Sequence, residues 1–297
     1  MLDLSIVIVN YNTKEFLKRC INSLLDFPPA GGSKKVNYEI IVVDNASSDN
    51  SSEMVKKEFP KIDLISNKKN VGFSKANNQG IKKSEQSRYV LFLNPDTIVS
   101  KNTLEKMIQF MDENKDAGAS TCKLLMPNGE IDDASHRGFP TPWNAFCHFS
   151  GLSKIFPKSK VFNSYNLGFM DLSKTHEIDA LTGAFMLVRR EAGEQAGWWD
   201  EDYFFYGEDI DFCYELKSKG WKIYYVPEVS ILHYKGVSGG IKKVSKEIST
   251  ATLETKKRAT KARFNAMRIF YRKHYKQKYS WVINLLVNIG ISVRERI

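Results

Sequence analysis

The chain has 297 residues, 42% of them hydrophobic and 12% aromatic, with a formal net charge of +10. That supply of apolar residues excludes an intrinsically disordered chain, and the length suits one large domain or one domain with a sizeable appendage. Cys20, Cys122, Cys147 and Cys213 show neither metal-ligand spacing nor a paired framework, which argues for a reducing cytoplasm.

The charge is uneven: residues 242–278 hold 13 Lys plus Arg against 2 acidic residues, leaving 31 basic and 32 acidic elsewhere. The opening Met-Leu-Asp-Leu carries no basic flank, so the first apolar run reads as a strand rather than a signal peptide. No run reaches the roughly 18 to 20 apolar residues that a membrane-spanning helix needs.

In chain order, Ser5-Ile-Val-Ile-Val-Asn10-Tyr-Asn12 reads as a buried strand ending on amides. Leu17, Cys20, Ile21 and Leu24 then recur at helical spacing, predicting a helix over Thr13–Leu25 with Asn12 and Glu15 as a capping pair. The loop Pro28–Ser33 punctuates before a second strand, Ile40–Asp44, and Asp49-Asn-Ser-Ser supplies caps for a helix carrying Met54, Val55 and Phe59. Ile62–Ile65 is a further strand. In the loop after it, Gly72 permits a tight turn and Ser74 can cap the next helix, an arrangement able to offer backbone N–H groups to an anion.

Strand Tyr89–Leu93 leads into Asn94-Pro-Asp96, and Asn102 or Thr103 opens a helix with Leu104, Ile108 and Met111. The alternation predicts a parallel sheet, and acidic groups at the carboxyl ends of its strands predict a ligand crevice there. Residues 118–174 read as irregular, with an aromatic-rich stretch around Trp143, Phe146 and Phe149. Ala180–Val188 reads as a returning strand. Tyr206-Gly-Glu208-Asp209-Ile-Asp211 then opens a helix that stops at Lys219-Gly220, with Asp211 on its other side, solvated or paired. Trp221–Val226 is the last strand, followed by His233. In Trp281–Val293, Asn284, Asn288 and Ser292 share one narrow helical face. A basic helix followed by such a segment suits an interfacial membrane anchor, or a helix packed on the domain or on a second subunit. No recognition motif accompanies the basic stretch, so nucleic acid is not an expected partner.

Six segments in this order resemble the inverting family 2 glycosyltransferases of the single-domain GT-A fold, and rhamnosyltransferase-like members most. They are Ser5–Asn12, Val42–Asp49, Asn70–Phe73, Asn94–Asp96, Gly183–Arg190 and Asp200–Asp209. The resemblance, which covers residues 3 to about 235, implies an α/β domain over residues 1–240, with a mixed, mainly parallel sheet flanked by helices; the charge and helical pattern of the remainder predict a basic, amphipathic helical extension over 241–297. It implies transfer of a sugar, with L-rhamnose from dTDP-rhamnose the first choice, from a dTDP- or UDP-sugar donor to a glycan or lipid-linked acceptor.

In that reading Asp44 hydrogen-bonds the nucleotide base, as a carboxylate accepting from an imide N–H can. Asn10, Asn12, Gly72 and Asn94 line the nucleotide site. Asp96 holds Mg²⁺ or Mn²⁺ against the diphosphate, and His233 stands where some relatives complete the metal shell, although an isolated histidine is equally a structural residue. Asn94 departs from the stricter Asp-x-Asp pattern and lowers the charge offered to a metal. Glu208 and Asp209 match the pair that supplies the general base, Asp209 being the first choice. Thr182 and Gly183 approach the donor sugar, Trp199 stacks on a sugar ring, and Arg189 or Arg190 meets the diphosphate.

The scattered cysteines and the basic tail together suit a cytoplasmic protein, peripheral at the inner face of the cell membrane if the tail binds lipid. The rival is a non-catalytic nucleotide-sugar or glycan-binding scaffold, which only Asn94 favours. A dinucleotide-dependent oxidoreductase is set aside, because Asn10-Tyr-Asn-Thr-Lys-Glu stands where Gly-x-Gly-x-x-Gly is required.

Overall fold

The computed structural model describes residues 2–25, 36–242, 244 and 246–296. The predicted loop Pro28–Ser33 lies outside them.

Strands β1 (Leu2–Asn10), β2 (Tyr38–Asp44), β3 (Asp63–Ser66) and β4 (Ser87–Leu93) form the parallel half of one sheet, in the order β3-β2-β1-β4. Their apolar runs are continuous because both faces are covered. Ile6, Ile8, Ile40 and Val42 point to one core, and Val7, Val9, Ile41 and Val43 to the other. Helices α1 (Lys14–Leu25), α2 (Ser51–Glu58) and α4 (Thr103–Glu113) cover the first face. Helices α3 (Phe73–Lys83), α7 (Arg190–Ala196) and α8 (Glu208–Ser218) cover the second.

The sheet continues through β8 (Phe185–Arg189), β6 (Ala117–Leu125), β9 (Lys222–His233) and β5 (Thr97–Val99), with β7 (His176–Ile178) on β9. β8 runs antiparallel to β4 and β6, and β9 antiparallel to β5 and β7, so the sheet is mixed. Part of the stretch expected to be irregular is therefore a nine-residue strand, β6, and its aromatic section is the helix α5 (Pro142–Ser150), followed by α6 (Leu152–Ile155). The returning strand is shorter than Ala180–Val188. The last strand runs past Val226 through Pro227, where its register against β6 shifts and a missing N–H is tolerated.

The caps also differ from expectation. Asn12 adopts a left-handed φ of 54° and turns its Oδ1 to the Ser48 N–H, 2.7 Å away, while Asp49 accepts the Lys14 N–H at 2.8 Å. The loop after β2 thus caps α1, and Glu15 has no part in it. Ser74 lies inside α3 rather than at its cap.

The C-terminal helices α9 (Leu253–His274) and α10 (Trp281–Arg296) form a hairpin joined by the Arg268–Glu295 ion pair at 2.5 Å. α9 is packed on the domain: Ala266, Ile269, Phe270 and Tyr275 make a third core with Tyr203. No helix among the described residues is long and apolar enough to cross a membrane.

Candidate active site

The carboxyl ends of β1, β2 and β4 open onto a cavity of about 1300 Å³. Its floor includes Asn45, Gly72, Asn94, Asp96, Thr182 and Gly183. The last two arrive there because β8 runs against β4, so its first residues stand where β4 ends, with the Asn94 N–H on the Ala184 carbonyl at 3.1 Å. Gly72 has φ 93°, and a Cβ there would lie 2.8 Å from the Phe204 carbonyl, which accepts the Phe73 N–H. Only glycine permits that approach. The Val71 and Gly72 N–H groups bond to Asn45 and Asn70, so this turn spends its donors internally and is not the anion cradle expected of it.

Asp44 stands just behind the cavity wall formed by Val9 and Asn45. Its oxygens accept from the Asn10 amide at 2.9 Å and the Ser47 N–H at 3.0 Å, and Thr13 donates to Asn10 at 2.6 Å. Asn10, Asn12 and Asp44 are thus brought together as a network locking the β1 and β2 loops, while Tyr11 and Asn45 between them reach the cavity.

Asp96 and His233 meet because β5 and β9 pair Thr97 with His233. His233 Nε2 lies 3.5 Å from Asp96 Oδ1, and Nδ1 lies 2.9 Å from Asp132, which also binds Lys235 at 2.5 Å. Asp96 keeps its other oxygen for the Gly236 and Val237 N–H groups, at 3.1 and 3.3 Å. Burial opposes the charge on the imidazole, but Asp96 and Asp132 outweigh it and lift His233 to about 9. Burial likewise raises Asp132, and His233 and Lys235 reverse it, leaving that carboxyl well below its usual range.

The buried His233 Nε2 has no hydrogen-bond partner. Asp96 and Asp132 hold the imidazole protonated; loss of the Nε2 proton would free a lone pair beside the Asp96 oxygen, with the far nitrogen fixed by an aspartate, an arrangement that fits a divalent cation. Among the described residues no third acidic, histidine or cysteine ligand joins them, so a bound Mg²⁺ or Mn²⁺ would have to take further ligands from substrate or water.

Across the cavity, Tyr206 and Gly207 both adopt left-handed φ, 70° and 83°, immediately before α8. A bulky residue in that region is strained, and strain of this kind collects at functional sites. The turn presents Glu208 and Asp209 on the first turn of α8, where the helix dipole favours negative charge. Asp209 Oδ2 receives Arg137 Nη2 at 2.8 Å, and both side chains are about 15% exposed, at 15% and 14%. Glu208 is buried, and burial followed by the Asp209 charge pushes its carboxyl well above the ordinary range, so near neutral pH it holds its proton. Arg137 Nε, Tyr206 Oη and Glu208 Oε2 are buried without hydrogen-bond partners, as is His233 Nε2, and all four residues line this cavity.

Two expectations are corrected. Trp199 lies in the core, 2% exposed, with its ring 4.8 Å from Phe92, and it supports Gly183 from behind instead of stacking on a sugar. Arg189 and Arg190 lie at the opposite edge of the sheet, because β8 is antiparallel. They bind the Met111 and Ser87 carbonyls, each at 2.7 Å. Asp211 follows one of the two alternatives read from the sequence: it is paired, buried against Lys273 and His274 of α9. Arg137 and Asp132 went unmarked by the sequence; their roles come from partners far along the chain.

A mixed sheet of this order, with acidic loops gathered at one end, is the single-domain GT-A arrangement. Two solved structures share the fold: S. aureus TarS 1-349, with TM-score 0.53, 17% identity and coverage of 92% of this chain and 73% of that one, and GalNAc-T7 with UDP, GalNAc and Mn²⁺, with TM-score 0.56, 17% identity and coverage of 88% and 48%. The sequence pattern of Glycosyl transferase family 2 matches residues 5–195, and the chain belongs to that family. Among curated relatives, Rhamnosyltransferase WbbL of Escherichia coli K12 is 27% identical over 237 residues, covering 77% of this chain and 82% of its own. The N-acetylglucosaminyl-diphospho-decaprenol L-rhamnosyltransferase of Mycobacterium tuberculosis H37Rv is 26% identical over 247 residues, covering 80% and 78%. The protein is a glycosyltransferase of glycan synthesis.

Proposed function

We propose that the chain transfers a hexose, L-rhamnose from dTDP-rhamnose by preference, to the sugar of a lipid-diphosphate-linked acceptor, with inversion at the anomeric carbon. The observation that carries this reading is the convergence of unpartnered Arg137, Tyr206, Glu208 and His233 atoms on one cavity, since buried polar atoms without partners call for a polar ligand. The rhamnosyltransferase relatives support the donor, and the diphospho-decaprenol relative supports the acceptor.

Asp209 is the base. Arg137 holds the Asp209 carboxylate at 2.8 Å on the cavity wall, whereas burial and the neighbouring Asp209 push the Glu208 carboxyl up, which disfavours its charged form. Asp209 removes the proton of the acceptor hydroxyl as that oxygen attacks the anomeric carbon from the face opposite the leaving nucleoside diphosphate. Asp96 and His233 would hold Mg²⁺ or Mn²⁺, which when bound neutralises charge on the departing diphosphate. The exposed apolar positions Trp281, Leu285 and Ile289 on α10, together with the basic α9, support a peripheral place at the inner face of the cell membrane.

A thermal-shift screen of nucleotides with Mn²⁺, followed by transfer assays across a nucleotide-sugar panel, tests the reading. Thymidine or uridine diphosphates should stabilise the chain and purine diphosphates should not. Asp209→Asn should keep nucleotide binding and lose transfer by about 100-fold or more. Full activity in that variant would remove Asp209 from the mechanism.

A further inference from the structure

The cavity extends beyond the carboxylates. It continues between α5, which contributes Trp143 and Phe146, and α10, which contributes Ile283, Leu286 and Ile291. Trp143 is 48% exposed, Phe146 56% and Leu286 61%, so these apolar side chains face an open slot rather than a closed core. The guanidinium of Arg294 rests 4.6 Å from the Phe149 ring and draws the two helices together. A Cβ added to Gly290, which lines the slot, would meet nothing within 4 Å.

The same cavity is lined by Lys242, Arg258 and Arg263, and the Arg263 charge acts on Tyr206 at the acidic end as well as on His148 of α5. Arg258 lies 4.0 Å from the Phe204 ring, and among the described residues neither Arg258 nor Arg263 is paired with a carboxylate. The positive charges crowd one another: burial, then Arg263 and Lys235, push the Lys242 ammonium down to about 8. At about 1300 Å³ the cavity exceeds the roughly 300–1,000 Å³ of ordinary small-molecule sites, so a nucleotide sugar leaves part of it unused.

We infer that this extension is the seat of the acceptor's lipid: the diphosphate lies against Lys242, Arg258 and Arg263, and the isoprenoid chain runs out between α5 and α10. The inference rests on the lipid-linked acceptor proposed above. Charge and shape both favour it. A doubly charged headgroup with a long apolar tail matches a basic cluster that opens into an apolar slot, and the slot is continuous with the cavity that holds Asp209. The polar face of α10 does not compete for the slot, since Asn284 is turned to α9, bonded to Tyr271 Oη at 2.6 Å and the Lys276 carbonyl at 3.1 Å.

The test titrates the full chain by calorimetry with farnesyl diphosphate and with inorganic diphosphate. The burial of a fifteen-carbon tail should make farnesyl diphosphate bind on the order of 100-fold more tightly. Gly290→Trp, which fills the slot without disturbing the helix, should remove most of that preference and leave the affinity for inorganic diphosphate unchanged. Leu286→Asn, at an exposed position, provides the same reading independently of whether the bulky variant folds. The double variant Arg258→Ala, Arg263→Ala should weaken both ligands by tenfold or more. Equal affinities for the two diphosphates would overturn the inference, as would a farnesyl preference untouched by both slot variants. It would also be overturned by a wild-type dimer that Gly290→Trp dissociates in light scattering, because the slot would then be a subunit contact. Binding here does not depend on sugar transfer. A chain that transfers to lipid-linked sugars without tail preference refutes the slot alone, and one that shows tail preference without transfer refutes only the reaction.

Discussion

Replacing Asp211 by alanine tests whether the C-terminal helices belong to the catalytic unit. Asp211 sits on the first turn of α8, two residues beyond Asp209, with its side chain 2% exposed. Its oxygens accept from Tyr203 Oη at 3.0 Å, Lys273 Nζ at 2.9 Å and His274 Nε2 at 2.6 Å. Burial alone would raise its pKa, and the bonds from His274 and Lys273 bring it below the ordinary carboxylate range. Truncation strands the Tyr203 hydroxyl and the His274 ring in the core. Removing one partner from a buried charged cluster costs about 3–5 kcal/mol. Lys273 is 36% exposed and can turn to Asp200, now 3.1 Å away, so the lower end applies, about 3 kcal/mol. At about 2–4 °C per kcal/mol for a chain of this size, Tm should fall by about 6–12 °C in scanning calorimetry. Because the folded pKa is lowered, the stabilisation is present above the unfolded value of 3.8 and is lost as pH falls through the folded value. Wild type and variant should therefore converge in strong acid. A loss below about 1 kcal/mol at neutral pH would refute the argument, because α9 would then be resting on α8 without being joined to it.

Three further outcomes follow from the same geometry. Glu208 has a raised folded pKa, so wild type should lose more stability than Glu208→Gln as pH rises above the unfolded value of 4.5; parallel urea melts from pH 5 to 8 that show equal slopes would exclude the buried neutral acid. Asp132→Asn removes the charge that orients His233 and should weaken Mn²⁺ binding by about 10–100-fold, read by electron paramagnetic resonance of free Mn²⁺ without any turnover; unchanged binding would detach Asp132 from the site. Trp199→Phe should cost about 1–3 kcal/mol of stability with KM unchanged, as expected for a core ring whose Nε1 has no partner to lose; a raised KM at unchanged stability would restore the sugar-stacking role.

What could be read from the chain alone follows from how each part announces itself. β1, β2 and β4 are runs of branched apolar residues cut off by amides and acids, and α1 and α4 repeat leucine, isoleucine and methionine at helical spacing; both patterns are local. β6, Ala-Gly-Ala-Ser-Thr-Cys-Lys-Leu-Leu, is hidden by its own packing. A Cβ on Gly118 would lie 2.5 Å from Trp221, so the site demands small residues, which carry no strand signal. The carboxylates Asp96, Glu208 and Asp209 are legible because they sit in ordered motifs. Asp132 and Arg137 are not, because each acquires its role from a partner 101 and 72 residues away, His233 and Asp209. The tail could be recognised as basic and apolar, but the direction of its faces depends on Asn284 meeting Tyr271, a contact that no periodicity encodes.

The family pattern ends at residue 195, and the division falls through the cavity itself. Before it lie Asn45, Gly72, Asn94 and Asp96, which surround the strand ends where the nucleotide diphosphate is proposed to bind. After it come Asp209, His233, the basic residues of α9 and the apolar slot of α10. A nucleotide diphosphate presents similar chemistry whichever sugar it carries, whereas acceptors differ in size, charge and solubility, so the second half is where one enzyme of this fold must depart from another. The proposed base, Asp209, is bound to both halves. Arg137, from the loop between β6 and α5, holds Asp209 by its carboxylate, and Asp211 on the same helical turn is fixed to Lys273 and His274 of α9. In the proposed reaction the attacking hydroxyl is thereby referred to the C-terminal helices and the leaving group to the sheet, and in-line displacement would require that these two frames be rigid with respect to each other.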